Sequence, residues 1–367
     1  MYKTLKQRII LDKETHQFII NLMHIAKNLY NEALYNVRQH FFNEGKYLSY
    51  NENYHLLKTS ENFKILNSSQ GQAIIRKVDQ AMKSFFGSIK KEVSKVRLPG
   101  YLPKAGLYPL YDEMVYKPIS SHYQLPRSNF IKAINQDILA INKKVSKESN
   151  DLILASLELK IKTPRCIRKK TIKQLTIKPL FNGKYIEVIY TYQTNKEKVV
   201  KTSGKETMGI DLGYKNLATC ATTNNKPLLI DGNGLKSYNV LYHKQMAKLA
   251  SPRQNQKVLT NKMIRTIDKR NCRIDYGINK AASVIINHAI NNQVGLIIIG
   301  YNKTFKSEVL SKSYNQWTKT IPIARLRDRI LYLAEENQIE TIIVNEAYTS
   351  LSSYLDQDKL TKTDFSG

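Results

Sequence analysis

Asp211 lies in Met208-Gly209-Ile210-Asp211-Leu212-Gly213-Tyr214-Lys215-Asn216-Leu217-Ala218-Thr219, one acid among apolar residues. The stretch reads as a strand, a Gly turn and a second strand from Leu217. A carboxylate on a buried strand is costly unless something compensates it. In phosphodiester chemistry that compensation is metal, held by clustered acids so that attacking and leaving oxygens are stabilised. The plainer alternative is a strand-end Asp capping a turn. Metal chemistry needs partner acids from other elements; a turn cap needs none.

Those elements belong to a chain of 367 residues, enough for two or three domains. Lys and Arg total 58 against 30 Asp and Glu, a net charge of +28. Such a field attracts polyanions, and nucleic acid is the first candidate. An anionic membrane surface is the runner-up, but no apolar run is long enough to span a bilayer and no signal peptide is seen. Cys166, Cys220 and Cys272 form no Cys-x-x-Cys pair, which excludes a zinc ribbon and fits a reducing cytoplasm. The 23 tyrosines offer stacking surfaces beside the basic groups, as single strands and RNA require.

In chain order, residues 2–11 read as a strand. Residues 12–44 read as a long helix, because Phe18, Ile19, Leu22, Ile25, Ala26, Leu29 and Tyr30 recur at helical spacing. Asp12 starts it and Gly45 ends it. A polar, non-helical segment is expected to about residue 69. A second helix covers 70–93, and its polar face carries Arg76, Lys77, Gln80 and Lys83. That face is a candidate nucleic-acid contact, with Gln80 able to read a base edge. Pro and Gly break the pattern from Leu98 to Pro126. Short strands follow to about residue 200, the best being Ile153–Leu159, Leu175–Pro179 and a hairpin turning at Asn182-Gly183. Arg168 and Lys169 lie in a basic loop, and 196–205 is a basic linker.

After the Asp211 strand, helices are expected over 235–250 and 257–292. The second carries Lys262, Arg265, Lys269, Arg270 and Arg273, candidate phosphate contacts. Val294–Ile299 is a continuous apolar run that fits a buried parallel strand. A helix over 323–337 leads into a strand over 341–344 and then Asn345-Glu346. Strand, strand, helices, strand, helix, strand describes an α/β layered domain.

Gly209-Ile210-Asp211-Leu212-Gly213 with Lys215-Asn216-Leu217-Ala218-Thr219 resembles the first RuvC motif of the TnpB family, transposon-encoded RNA-guided nucleases ancestral to type V CRISPR effectors. Lys83-Ser84-Phe85-Phe86-Gly87-Ser88-Ile89-Lys90, Leu98-Pro99-Gly100-Tyr101-Leu102-Pro103-Lys104 and Lys269-Arg270-Asn271 with Asn279-Lys280-Ala281-Ala282 resemble further family segments. Ile298-Ile299-Gly300-Tyr301 and Glu346-Ala347-Tyr348-Thr349-Ser350 resemble the later RuvC segments.

The resemblance implies an α/β multidomain fold. Residues 1–11 supply the first strand of a wedge-like β-barrel. Residues 12–94 form a helical recognition lobe, and 95–205 the barrel and linker. Residues 206–367 form an RNase H-like RuvC domain, incomplete at its C-terminus. It further implies a guide RNA, double-stranded target DNA with a short adjacent motif, and a bacterial cytoplasmic, nucleoid-associated setting.

Active relatives use three acids from three RuvC motifs. Asp211 matches the first. Gly300 stands where the second is usually Glu; some branches move that Glu to the strand before Tyr-Thr-Ser, where Glu346 remains and Asn345 replaces its neighbour. The third is expected downstream of Phe365-Ser366-Gly367, and Asp356, Asp358 and Asp364 do not match it. Asp211 and Glu346 are therefore expected to be vestigial. No metal site and no cofactor is expected for binding. The function implied is RNA-guided DNA binding that represses transcription at promoters. The alternative is a Mg-dependent endonuclease with a rearranged RuvC site.

Overall fold

The computed structural model describes residues 2–91, 96–113, 121–124, 160–194, 204–252, 258–301 and 321–346. Two compact units divide it, residues 1–196 and 197–367.

In the first unit, strand β1 (Tyr2–Ile9) runs into helix α1 (Lys13–Glu44). Asp12 caps α1, its Oδ1 accepting from the Thr15 amide at 2.8 Å, and the helix stops at Gly45. Phe18, Ile19, Leu22, Met23, Ala26 and Leu29 form its buried stripe, as the periodicity requires. Three helices follow: α2 (Tyr50–Leu57), α3 (Glu61–Ile65) and α4 (Ser68–Lys90). The first two occupy the segment expected to be non-helical. Ser49 with Glu52 forms a capping box for α2, and Ser60 and Asn67 cap α3 and α4, so the polar residues that read as loop are helix starts.

Strands β2 (Leu110–Asp112), β3 (His122–Gln124), β4 (Lys160–Lys162), β5 (Ile172–Leu180) and β6 (Tyr185–Gln193) complete this unit. Their order is β1-β6-β5-β2, with β3 and β4 paired apart. Tyr2 lies opposite Gln193 and Ile9 opposite Ile186, so the chain's first strand joins a strand from residues 185–193. Among the described residues this sheet is open, not a closed barrel. The β5–β6 turn takes Asn182 and Gly183 to φ values of 53° and 82°, the region that favours such a pair. The helices and the sheet share one core, in which α1 and α4 pack with Ile172, Leu175, Ile177, Val188 and Tyr190. The boundary expected at residue 94 is thus crossed by apolar packing. The expected strand Ile153–Leu159 lies outside the described residues.

The Asp12 cap has a measurable weight. Bonds from the Thr15 side chain and amide hold its carboxyl below the ordinary value. Asp12→Ala is expected to cost about 1 kcal/mol at pH 7 in urea unfolding. A folded pKa below the unfolded one gives stability present above about pH 4 and lost as pH falls. The gap between the wild-type and variant curves should therefore narrow as pH falls below about 4; a gap of constant size would reject the cap carboxylate as its cause.

In the second unit, β7 (Glu206–Asp211), β8 (Asn216–Thr222) and β9 (Leu228–Asp231) form an antiparallel meander. Helices α5 (Asn233–Ala250) and α6 (Asn261–Asn291) follow, then β10 (Val294–Gly300), α7 (Ile323–Glu336) and β11 (Glu340–Val344). The sheet order is β11-β10-β7-β8-β9, with β10 parallel to both β7 and β11. Ile274, Ile278, Ala282, Ile285 and Ile286 of α6 and Leu326 and Ile330 of α7 pack against Met208, Ile210, Ile297 and Ile299. Burial pushes the Cys220 thiol up to about 12, which keeps it an inert core thiol. No helix among the described residues is long and apolar enough to cross a membrane.

Candidate nucleic-acid interface and acid site

The acids are positioned by strand alternation. Along β7, Met208 and Ile210 turn to the core, and Gly209 and Asp211 turn to the other face. Asp211 is exposed. The reading of a carboxylate isolated in apolar surroundings is corrected by this alternation: its apolar sequence neighbours point the opposite way.

Ile299 pairs with Ile210 in parallel register, so Gly300 stands beside Asp211 at the next position, on the same face. On its other side Gly300 pairs with Val344, and Glu346 lies two residues beyond that. A Cβ added at Gly300 would stand 2.8 Å from Glu346 Oε2 and 3.7 Å from the Ile210 carbonyl oxygen. The Glu346 carboxylate therefore occupies the space that a side chain at 300 would fill, next to the end of β7 that carries Asp211. Three strand ends bring together two acids separated by 135 residues of sequence. Two hard carboxylates so placed suit Mg²⁺ in donor type. Among the described residues no group of three or more His, Cys, Asp or Glu gathers to hold a metal.

The basic candidates fall into three places. On α4, Arg76 forms an ion pair with Glu113 and its guanidinium stands 5.5 Å from the Tyr50 ring centroid. Lys77 Nζ donates to Gln80 Oε1 at 3.2 Å and lies over Tyr111. Lys83 pairs with Asp79 at 2.9 Å, and Asp79 also accepts from the Tyr47 hydroxyl. The two carboxylates that offset this stripe, Asp79 and Glu113, were not legible from the helix face, since Asp79 reads as one more polar position and Glu113 comes from beyond β2. Arg168 donates to the Thr163 carbonyl oxygen from Nε and Nη2, at 3.3 and 3.2 Å. Lys169, with φ 68°, is exposed at the turn after it.

The third place is α6. Lys262, Arg265, Lys269 and Arg273 are exposed along it. Arg270 is half-buried, with Nε donating to Asn239 Oδ1 at 2.9 Å and the guanidinium over Tyr242. Burial lowers its pKa, though it stays charged. Arg270 thus ties α5 to α6, while its charged neighbours on α6 stay open to solvent.

Residues 188–306 match the OrfB_IS605 family, described as a probable transposase. The matched segment contains Asp211, all of α6 and Gly300. The chain is 24% identical over 249 residues to a TnpB-like protein, ORF457, of Acidianus two-tailed virus. The match to the viral TnpB-like protein covers 63% of this chain and spans half the length of that relative. A solved complex of Cas12f1 with sgRNA and target DNA has a similar fold, with a TM-score of 0.54 at 13% identity over 94% of this chain and 75% of that one. The mixed α/β architecture described above is similar to that of the Cas12f1 chain.

Proposed function

We propose that this chain binds a guide RNA and, with it, double-stranded DNA beside a short adjacent motif, without cutting, and represses transcription by occupying promoter DNA. The partner classes are those named for the Cas12f1 complex. The basic surface of α6 and the excess of 28 positive charges support a polyanion partner. The sheet order β11-β10-β7-β8-β9 supports reading the second unit as an RNase H-like RuvC domain. The single observation behind the loss of cleavage is Gly300: the strand position beside Asp211 carries no side chain. Binding needs base pairing and phosphate contacts and no catalytic acid.

A second reading is favoured by one observation, the Glu346 carboxylate seated over Gly300. It makes Asp211 and Glu346 two ligands of a rearranged site, and the chain a Mg-dependent endonuclease. Magnesium bound there would stabilise charge on the attacking and leaving oxygens.

The deciding experiment is to sequence the RNA that co-purifies with the chain, programme the protein with it, and assay binding and nicking of a matched plasmid in Mg²⁺. The repressor reading expects binding without nicking, and Asp211→Ala binding as tightly as wild type. Nicking that falls by about 10³-fold or more in Asp211→Ala and in Glu346→Gln would establish the endonuclease instead. No discrete RNA would reject both.

A further inference from the structure

We infer that the cleft between α5 and α6 seats one unpaired base of a single-stranded stretch of nucleic acid, an inference that rests on the nucleic-acid reading above. The cleft encloses about 630 Å³. Its floor includes a close contact: a Cβ at Gly277 would stand 2.8 Å from Leu235 Cδ2, so the Leu235 side chain packs directly onto α6 there.

Among the α6 residues that line this cleft, Arg273, Tyr276 and Lys280 stand at helical spacing. Tyr276 is 67% exposed, an unusual exposure for a ring that has an apolar cleft beside it. Arg273 holds its guanidinium 4.7 Å from the centroid of Tyr238, across the cleft on α5. Apolar floor, two tyrosine rings and two cations are the elements that bind a base by its π-face and its phosphate by charge.

Charge decides against an apolar protein segment as occupant. The lining carries two cations and one acid, Asp231. That acid is engaged in starting α5, accepting from the Asn233 amide at 3.2 Å and the Asn233 side chain at 2.6 Å. Along α6 there are six Lys and Arg against two Asp, so the helix that walls the cleft is net cationic. A base is also matched to a wall made of rings, because every base has a flat face whatever its sequence. The site is accordingly sequence-tolerant.

The test uses the full chain with fluorescent oligo-uridine and oligo-thymidine of about ten nucleotides. Tyr276→Ala is expected to weaken binding about tenfold, with the salt slope unchanged. Tyr276→Phe keeps the ring and should bind as wild type does. Lys280→Ala should lower the slope of log K against log salt by about 0.7. The tighter of the two oligonucleotides identifies whether the seated base is RNA or DNA. Tyr276→Ala binding both as well as wild type overturns the cleft and leaves guided recognition intact. So does an equal loss in Tyr276→Phe. Wild-type protein that binds neither oligonucleotide, while still carrying a discrete guide RNA, also overturns the cleft. If that RNA is absent too, the function proposed above falls with it.

Discussion

Guide-RNA binding by the full chain is expected to weaken by about a thousandfold or more between roughly 50 and 200 mM salt. Lys and Arg outnumber Asp and Glu by 28, and α6 alone exposes Lys262, Arg265, Lys269, Arg273 and Lys280. Each phosphate they neutralise releases condensed counterions, and salt opposes that release. The structure also says which cations should dominate. Lys269→Gln should flatten the salt slope by about one charge. Arg76→Gln should flatten it less, because Glu113 already faces that guanidinium. Equal effects of the two would show that the Arg76–Glu113 pair opens on binding. A wild-type affinity that barely responds to salt would remove phosphate contact as the source of binding.

Ile299→Ala is expected to cost about 3 kcal/mol of stability in the second unit. Ile299 is fully buried on β10, flanked by Ile210 on one side and Ile343 on the other. Deleting its side chain removes apolar contacts within the core it shares with α6 and α7 and leaves a cavity that an internal strand cannot close. Urea unfolding should show a midpoint lower by about 1–2 M for a slope near 2 kcal/mol/M. The effect reaches the acid site, since Ile299 fixes the register that sets Gly300 beside Asp211 and beneath Glu346. Ile343→Ala is the informative contrast. It lies on the edge strand with 47% of its surface exposed, so it should cost well under half as much. Equal costs would mean that β11 is covered more fully than the described residues indicate.

Several levels of this protein were legible in the chain alone. Hydrophobic periodicity places α1, α4 and α6, because a helix declares its buried stripe within a window of a few turns. Asn182-Gly183 marks the hairpin, because few residues tolerate a positive φ there. The basic excess points to a polyanion, and the Asp211 segment resembles a motif of the TnpB family. What these share is locality: each signal lies within a few residues or in the composition.

The helices between residues 50 and 65 escaped because their stripes are short and their caps are polar. The exposure of Asp211 required knowing which face of β7 the core covers. Arg76 meets Glu113, and Lys83 meets Asp79, only once the helices and the sheet are packed. Tyr2 pairs with Gln193, and Glu346 comes to lie over Gly300, through strand pairing between distant segments. Such partners are chosen by burial and register across the whole chain. No local pattern encodes them, and tertiary structure alone decides whether two acids far apart in sequence share one end of a sheet.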